Sequence, residues 1–253
     1  MKKMKIGLIT GGIAVVAASA VGLVLSGSAG VKNESYTLPV GFTVTAHTGC
    51  EGEKDNTLES ISAGAAAGAD IVEIDLHYLA DGTAVLCHDE PKADSEDELV
   101  TLDSAFELLA KLDVRMNVDV KSTKNIAVVP ELADKHGVRE KIFFTGVEEK
   151  DVEAVKSGAP GIAYYLNVSV EKRKNTDLDY IHSLVDKVKE CGAIGINMKY
   201  TGASEELVSV FRSEGLLVSL WTANNKKEMH KCLALAPDNI TTRKPSVLKE
   251  LCI

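Results

Sequence analysis

Two hydrophobic periods alternate along most of this chain. Short apolar runs with strand character cover residues 42–47, 71–75, 116–120, 141–145, 161–166, 194–198, 217–222 and 239–242. A segment with helical spacing follows each of them, at 57–67, 102–112, 126–135, 150–156, 178–190, 204–213, 226–234 and 246–251. Leu178, Ile181, Leu184, Val185 and Val188 show that spacing most plainly. Asn175-Thr176-Asp177 and Ala203-Ser204 offer polar N-caps to the fifth and sixth helices. Gly137, Gly158, Gly192 and Gly215 follow helices, where a left-handed residue closes the last turn.

Eight strand-then-helix units in succession predict an α/β fold, a parallel (β/α)8 TIM barrel. A doubly wound open sheet is the competing arrangement, but no Gly-x-Gly-x-x-Gly follows the first strand to favour it. One segment breaks the alternation. After Asp75, Asp81-Gly82 lies between two apolar runs, which is a strong hairpin signal. A hairpin reverses the chain, so His88 is expected back at the level of Glu73 and Asp75.

The formal net charge of -9 argues against wholesale binding of nucleic-acid backbone. It also argues against adsorption to anionic lipid unless a segment inserts. Such a segment stands at the start. Lys2, Lys3 and Lys5 precede an uncharged stretch over 6–31, and Ser26-Gly27-Ser28-Ala29 resembles a cleavage site. The segment reads as a signal peptide or as an uncleaved membrane anchor. Either way the domain is expected outside the cytoplasmic membrane. The chain thus divides into a targeting segment with linker, 1–35, and one barrel domain, 36–253. Cys50, Cys87, Cys191, Cys232 and Cys252 match no zinc spacing and read as small buried hydrophobes. In an exported protein, Cys50 with Cys87 and Cys232 with Cys252 are the pairs a disulfide would join.

In a parallel barrel the C-terminal strand ends carry the chemistry. His47, Glu73, Asp75 and Asp119 fall at or near such ends. Glu73 and Asp75 are two residues apart and therefore share a face of their strand. Asp119 brings a third carboxylate from the adjacent strand. Three hard oxygen donors without a soft partner suit Mg²⁺ or Ca²⁺. His47 and His88 supply proton carriers that work near neutral pH, and Lys121 adds a cation for phosphate charge. The set suits holding a divalent metal against a phosphate while protons move across it. His77 is expected to be structural, and His136, His182 and His230 to face solvent from helices.

At these residues the chain resembles the glycerophosphodiester phosphodiesterase family. The likeness rests on His47-Thr48-Gly49, Asp55-Asn56-Thr57-Leu58-Glu59, Gly68-Ala69-Asp70 leading into Glu73-Ile74-Asp75, Asp81-Gly82 ahead of His88-Asp89, and Asp119-Val120-Lys121. Trp221-Thr222 and Ile240-Thr241-Thr242 extend it. The resemblance implies a metal-dependent enzyme that splits a small glycerophosphodiester into an alcohol and glycerol 3-phosphate. It implies His47 and His88 as the acid/base pair, Glu73, Asp75 and Asp119 as metal ligands, and Lys121 on the phosphate. Three positions depart from the family pattern: Thr48 replaces an arginine, Asp119 a glutamate and Arg243 an aspartate. The first and last strands of a barrel are neighbours, so Arg243 is expected to supply the guanidinium that Thr48 lacks. Trp221 is a further candidate for substrate contact. Glu51 and Glu53 make the first loop acidic, which would weaken an anionic substrate or enlist a cationic headgroup such as choline. Two other readings remain open: a phospholipase-like lyase that leaves a cyclic phosphate, and a non-catalytic phosphate-binding module.

Overall fold

A computed structural model describes residues 35–92 and 99–253 of the protein. The lysine-led N-terminal segment lies outside the described residues. Nine strands form one sheet: β1 (Thr43–Ala46), β2 (Ile71–Tyr78), β3 (Ala84–Leu86), β4 (Arg115–Val120), β5 (Ile142–Val147), β6 (Tyr164–Asn167), β7 (Gly195–Lys199), β8 (Leu217–Trp221) and β9 (Asn239–Thr242). Eight of them are parallel, in the order β1-β9-β8-β7-β6-β5-β4-β2, and pairing of β1 with β2 closes the ring. Helices α1 (Leu58–Ala66), α2 (Leu102–Leu109), α3 (Val128–His136), α4 (Val152–Gly158), α5 (Leu178–Cys191), α6 (Glu205–Ser213), α7 (Lys226–Ala234) and α8 (Pro245–Leu251) lie between the strands. This is the expected (β/α)8 barrel.

The strand period of two sorts the side chains. Even-numbered strand residues such as Val44, Val72, Ile74, Val118, Ile196 and Leu220 join the main core beneath the helices. Odd-numbered residues face the barrel axis, up to the register shift at the end of β5, where Val147 joins the main core and Gly146 turns to the lumen. Low in the lumen, Ile71, Phe143 and Tyr165 form a small separate apolar cluster. Above it the lumen is polar, and its buried side chains hydrogen-bond to one another, Trp221 Nε1 excepted. Thr45 Oγ1 donates to Asn239 Oδ1 at 2.7 Å, and Asn239 Nδ2 donates to Ser219 Oγ at 3.0 Å.

The hairpin forms as the Asp81-Gly82 signal predicts, with β3 antiparallel to β2 through Leu76–Leu86, His77–Val85 and Tyr78–Ala84. That pairing carries β2 past Asp75 to Tyr78, beyond its expected end. Asp177 and Ser204 cap their helices, accepting from Tyr180 N at 3.3 Å and Leu207 N at 3.1 Å. Gly137, Gly192 and Gly215 adopt the left-handed conformation. Gly158 does not: it is the last residue of α4, where a Cβ would lie 2.4 Å from Ile126 Cγ2. Its absent side chain serves close packing instead. Two histidines also depart from expectation. His136 Nε2 is 2.8 Å from Asp103 Oδ1, and His230 Nδ1 is 2.5 Å from the Tyr36 hydroxyl. The five cysteines are free thiols, with Cys50 donating to the Ser60 carbonyl. No helix among the described residues is long and apolar enough to cross a membrane.

Candidate active site

The register of β2 against β4 builds the floor of the site. Glu73 lies opposite Asn117, and Asp75 opposite Asp119. Odd positions face the lumen, so two carboxylates come to lie side by side with a third just below. All are largely withdrawn from water, Glu73 at 9% and Asp75 at 2% exposure. Each is held by neighbours. Asn117 Nδ2 donates to Glu73 Oε2 at 3.2 Å, and Thr145 Oγ1 donates to Asp119 Oδ1 at 2.7 Å. Asn56, in the loop after β1, grips Asp75 twice. Its Nδ2 donates to Asp75 Oδ2 at 2.8 Å, and its Oδ1 accepts from the Asp75 main-chain N at 2.9 Å. Lys121 Nζ stands between two of the carboxylates, 3.1 Å from Asp75 Oδ1 and 2.5 Å from Asp119 Oδ2.

One ammonium does not balance three carboxylates. Burial, with the charges of Asp119 and Asp75, raises Glu73 well above the ordinary carboxyl range. Burial opposes the charge on Lys121, but Asp119 and Asp75 outweigh it and raise its pKa. This donor set fits a hard divalent cation, because such an ion would stabilise the carboxylate that burial disfavours. Among the described residues, no three acidic, His or Cys side chains are drawn together as a ready ligand sphere. Lys121 holds the space between Asp75 and Asp119.

His47 follows β1 at the same rim. Its Nδ1 is 2.8 Å from the Thr48 carbonyl, which can only accept, so Nδ1 carries the proton. Nε2 is then the lone-pair nitrogen, 3.7 Å from Glu73 Oε1. Burial lowers the pKa of His47. His88 follows the hairpin, and its imidazole is 68% exposed. The Asp89 carboxylate accepts from its Nδ1 at 2.8 Å. His77 is buried in β2 and does not line the cavity that these groups share, in keeping with a structural role.

A cavity of about 370 Å³ brings these groups together. His47, Glu73, Asp75, His88, Asp119, Lys121 and Trp221 all line it. Arg243 does not. Its guanidinium is held bidentately by Asp55, at 2.6 and 2.7 Å. Gly49 makes room for that pair: a Cβ there would lie 1.8 Å from Asp55 Oδ1. Glu51 is also turned aside, accepting from Ser246 Oγ at 2.7 Å. Sequence reasoning gave no separate role to Asn56, Asn117 or Thr145. A signal existed for Asn117, which precedes Asp119 by two and so shares its face. The grip of Asn56 on Asp75 had no such signal, since it depends on a loop folding back.

The model of the glycerophosphoryl diester phosphodiesterase family matches residues 46–118 and 92–247. The chain belongs to that family. A glycerophosphodiester phosphodiesterase of Caldanaerobacter subterraneus subsp. tengcongensis is 23% identical over 82% of this chain and 96% of its own. One from Bacillus altitudinis is 24% identical over 80% and 94%. Solved structures share the fold. A phosphodiesterase of Oleispira antarctica, in complex with the product sn-glycerol-3-phosphate, superimposes with a TM-score of 0.70 at 20% identity, over 85% of this chain and 96% of that one. The glycerophosphodiester phosphodiesterase of Thermotoga maritima gives 0.60 at 20% identity, over 83% and 98%. This member of the family is therefore a phosphodiesterase on a TIM barrel.

Proposed function

We propose that the enzyme hydrolyses glycerophosphodiesters to an alcohol and glycerol 3-phosphate, with His47 and His88 moving protons and Glu73, Asp75 and Asp119 holding Mg²⁺ or Ca²⁺. The observation that carries this reading is the single cavity lined by both imidazoles, the three carboxylates and Lys121, in a chain of this family. The product bound to the Oleispira relative supports glycerol 3-phosphate as the phosphate-bearing product.

His47 suits the base. Burial disfavours its imidazolium, so the ring is neutral near pH 7, and Nε2 is free to take a proton from the attacking water. The water oxygen bonds to phosphorus as the bond from phosphorus to the alcohol oxygen breaks. His88 then gives its Nε2 proton to that oxygen, while Asp89 orients the ring through Nδ1. Bound at the carboxylates, the cation would polarise a phosphoryl oxygen. Lys121 places further positive charge beside Asp75 and Asp119, in reach of the anionic transition state. Trp221 walls the substrate side. Arg243 reaches the phosphate only if Asp55 releases it. Export carries over from the N-terminal sequence as part of the proposal, and cell fractionation tests it.

The test is a hydrolysis assay over a panel of glycerophosphodiesters, with Mg²⁺, Ca²⁺ or EDTA, and with His47→Ala as control. Cation-dependent release of glycerol 3-phosphate that His47→Ala loses is the expected result. Absence of turnover across the panel would sink the reading. A cyclic phosphate seen by phosphorus NMR would convert it to the lyase.

A further inference from the structure

A second cavity, about 810 Å³ in volume, opens beside the catalytic one. The two share Glu148, Lys150, Asn167, Asn197 and Trp221 as walls, so they adjoin. The charges lining the second are unevenly matched. Lys187 is paired with Glu149 at 2.9 Å and Lys150 with Glu148 at 2.8 Å. Lys172 and Lys199 have no carboxylate partner among the described residues. Lys199 Nζ sits 5.4 Å from the centre of the Trp221 ring, at the junction of the cavities. Strand pairing fixes that position, since Lys199 and Trp221 are register partners in β7 and β8. In a chain of net charge -9, two uncompensated ammonium groups beside a phosphodiester site are a local reversal of sign. They add nothing to the fold through ion pairing and are available to an anion.

From this we infer that the second cavity receives the leaving alcohol, and that the alcohol it selects carries its own anionic group, engaged by Lys172 and Lys199. The inference rests on the hydrolase reading and adds a substrate class to it. Three-carbon glycerol needs little room beyond the catalytic cavity, whereas the alcohol is the variable half and extends past Trp221. The acidic first loop does not oppose an anion there. Glu51 is bonded to Ser246, and neither Glu51 nor Glu53 lines either cavity. The anion is a phosphate monoester or a carboxylate.

The experiment compares kcat/KM for four diesters of glycerol 3-phosphate. Their alcohols are glycerol phosphate, glycerate, glycerol and choline, which offer a phosphate, a carboxylate, no charge and a cation. The wild type is expected to prefer the phosphate- or carboxylate-bearing alcohol over glycerol, and to disfavour choline. In the double variant Lys172→Glu/Lys199→Glu the ratio of anionic to neutral alcohol should fall by roughly tenfold or more, the size of one strong contact to charge. Lys231→Glu, an exposed charge change on α7, should keep the wild-type ratio. Equal use of anionic and neutral alcohols by the wild type overturns the inference alone, as does a ratio that survives in the double variant or falls equally in Lys231→Glu. If no diester is cleaved, the hydrolase reading fails, and calorimetric titration with the phosphate-bearing diester decides the cavity. Binding that the double variant loses upholds it, and equal or absent binding in both proteins overturns it.

Discussion

Glu73 and His47 face each other across the site under opposite pressures from the same burial. Glu73 is raised by burial and by Asp119 and Asp75, so the native state holds its proton more tightly than the unfolded chain does. Above that raised pKa the ionised carboxylate costs stability. The cost disappears as pH falls towards the ordinary value of 4.5. Glu73→Gln is therefore expected to raise the melting temperature of metal-free protein at neutral pH, with a gain that shrinks on acidification, and to remove activity. Scanning calorimetry in EDTA from pH 4.5 to 8 checks it, and a lower melting temperature for the variant at pH 7 would refute the strain. His47 is lowered by burial from 6.5. In its proposed role as base it must be neutral, so the acid limb of kcat/KM should lie below pH 6.5. A pH–rate profile with an acid limb above that value would assign the limb to another group. His47→Ala should lower kcat by roughly 10²–10⁴-fold.

At the scale of elements, the loop between β1 and α1 does as much for the site as the strands do. Thr48 Oγ1 accepts from the Asn56 main chain at 2.5 Å, and Asn56, in a left-handed conformation, reaches back to Asp75. Asn56→Ala leaves the Asp75 N–H and one carboxylate oxygen buried without a partner. The expected loss is about 1–3 kcal/mol for each orphaned group, read by urea unfolding. Weaker cation dependence of kcat should accompany it, because Asp75 is no longer aimed. Thr48, met in the sequence as a missing cation, is thus a buried hydrogen-bond acceptor that shapes the loop. The hairpin was legible from Asp81-Gly82, because turn chemistry is local. The extension of β2 to Tyr78 was not, because β3 had to pair before those residues could continue the strand.

For the molecule as a whole, closing the barrel concentrates negative charge at one mouth. A cation that binds only the folded chain should stabilise it by about 2.7 kcal/mol at one hundred times its Kd. Thermal melts with rising Mg²⁺ or Ca²⁺ should show that increase in wild type, and Asp75→Asn should lose most of it. An equal shift in both proteins would place the cation elsewhere.

The strand–helix alternation, the single hairpin and the identity of the chemical groups were written in the sequence, since each follows from a period or a neighbour a few residues away. The floor of the site was half written there: Glu73 and Asp75 share a face by strand geometry alone, but Asp119 joins them only through the β2–β4 register. Tertiary structure alone decided the rest. Arg243 is bound to Asp55, 188 positions earlier. Lys121 lies between two carboxylates, and a second cavity lined by Lys172 and Lys199 adjoins the first at Trp221. These contacts depend on ångström-scale distances between segments far apart in the chain, and local patterns of polarity carry no record of such distances.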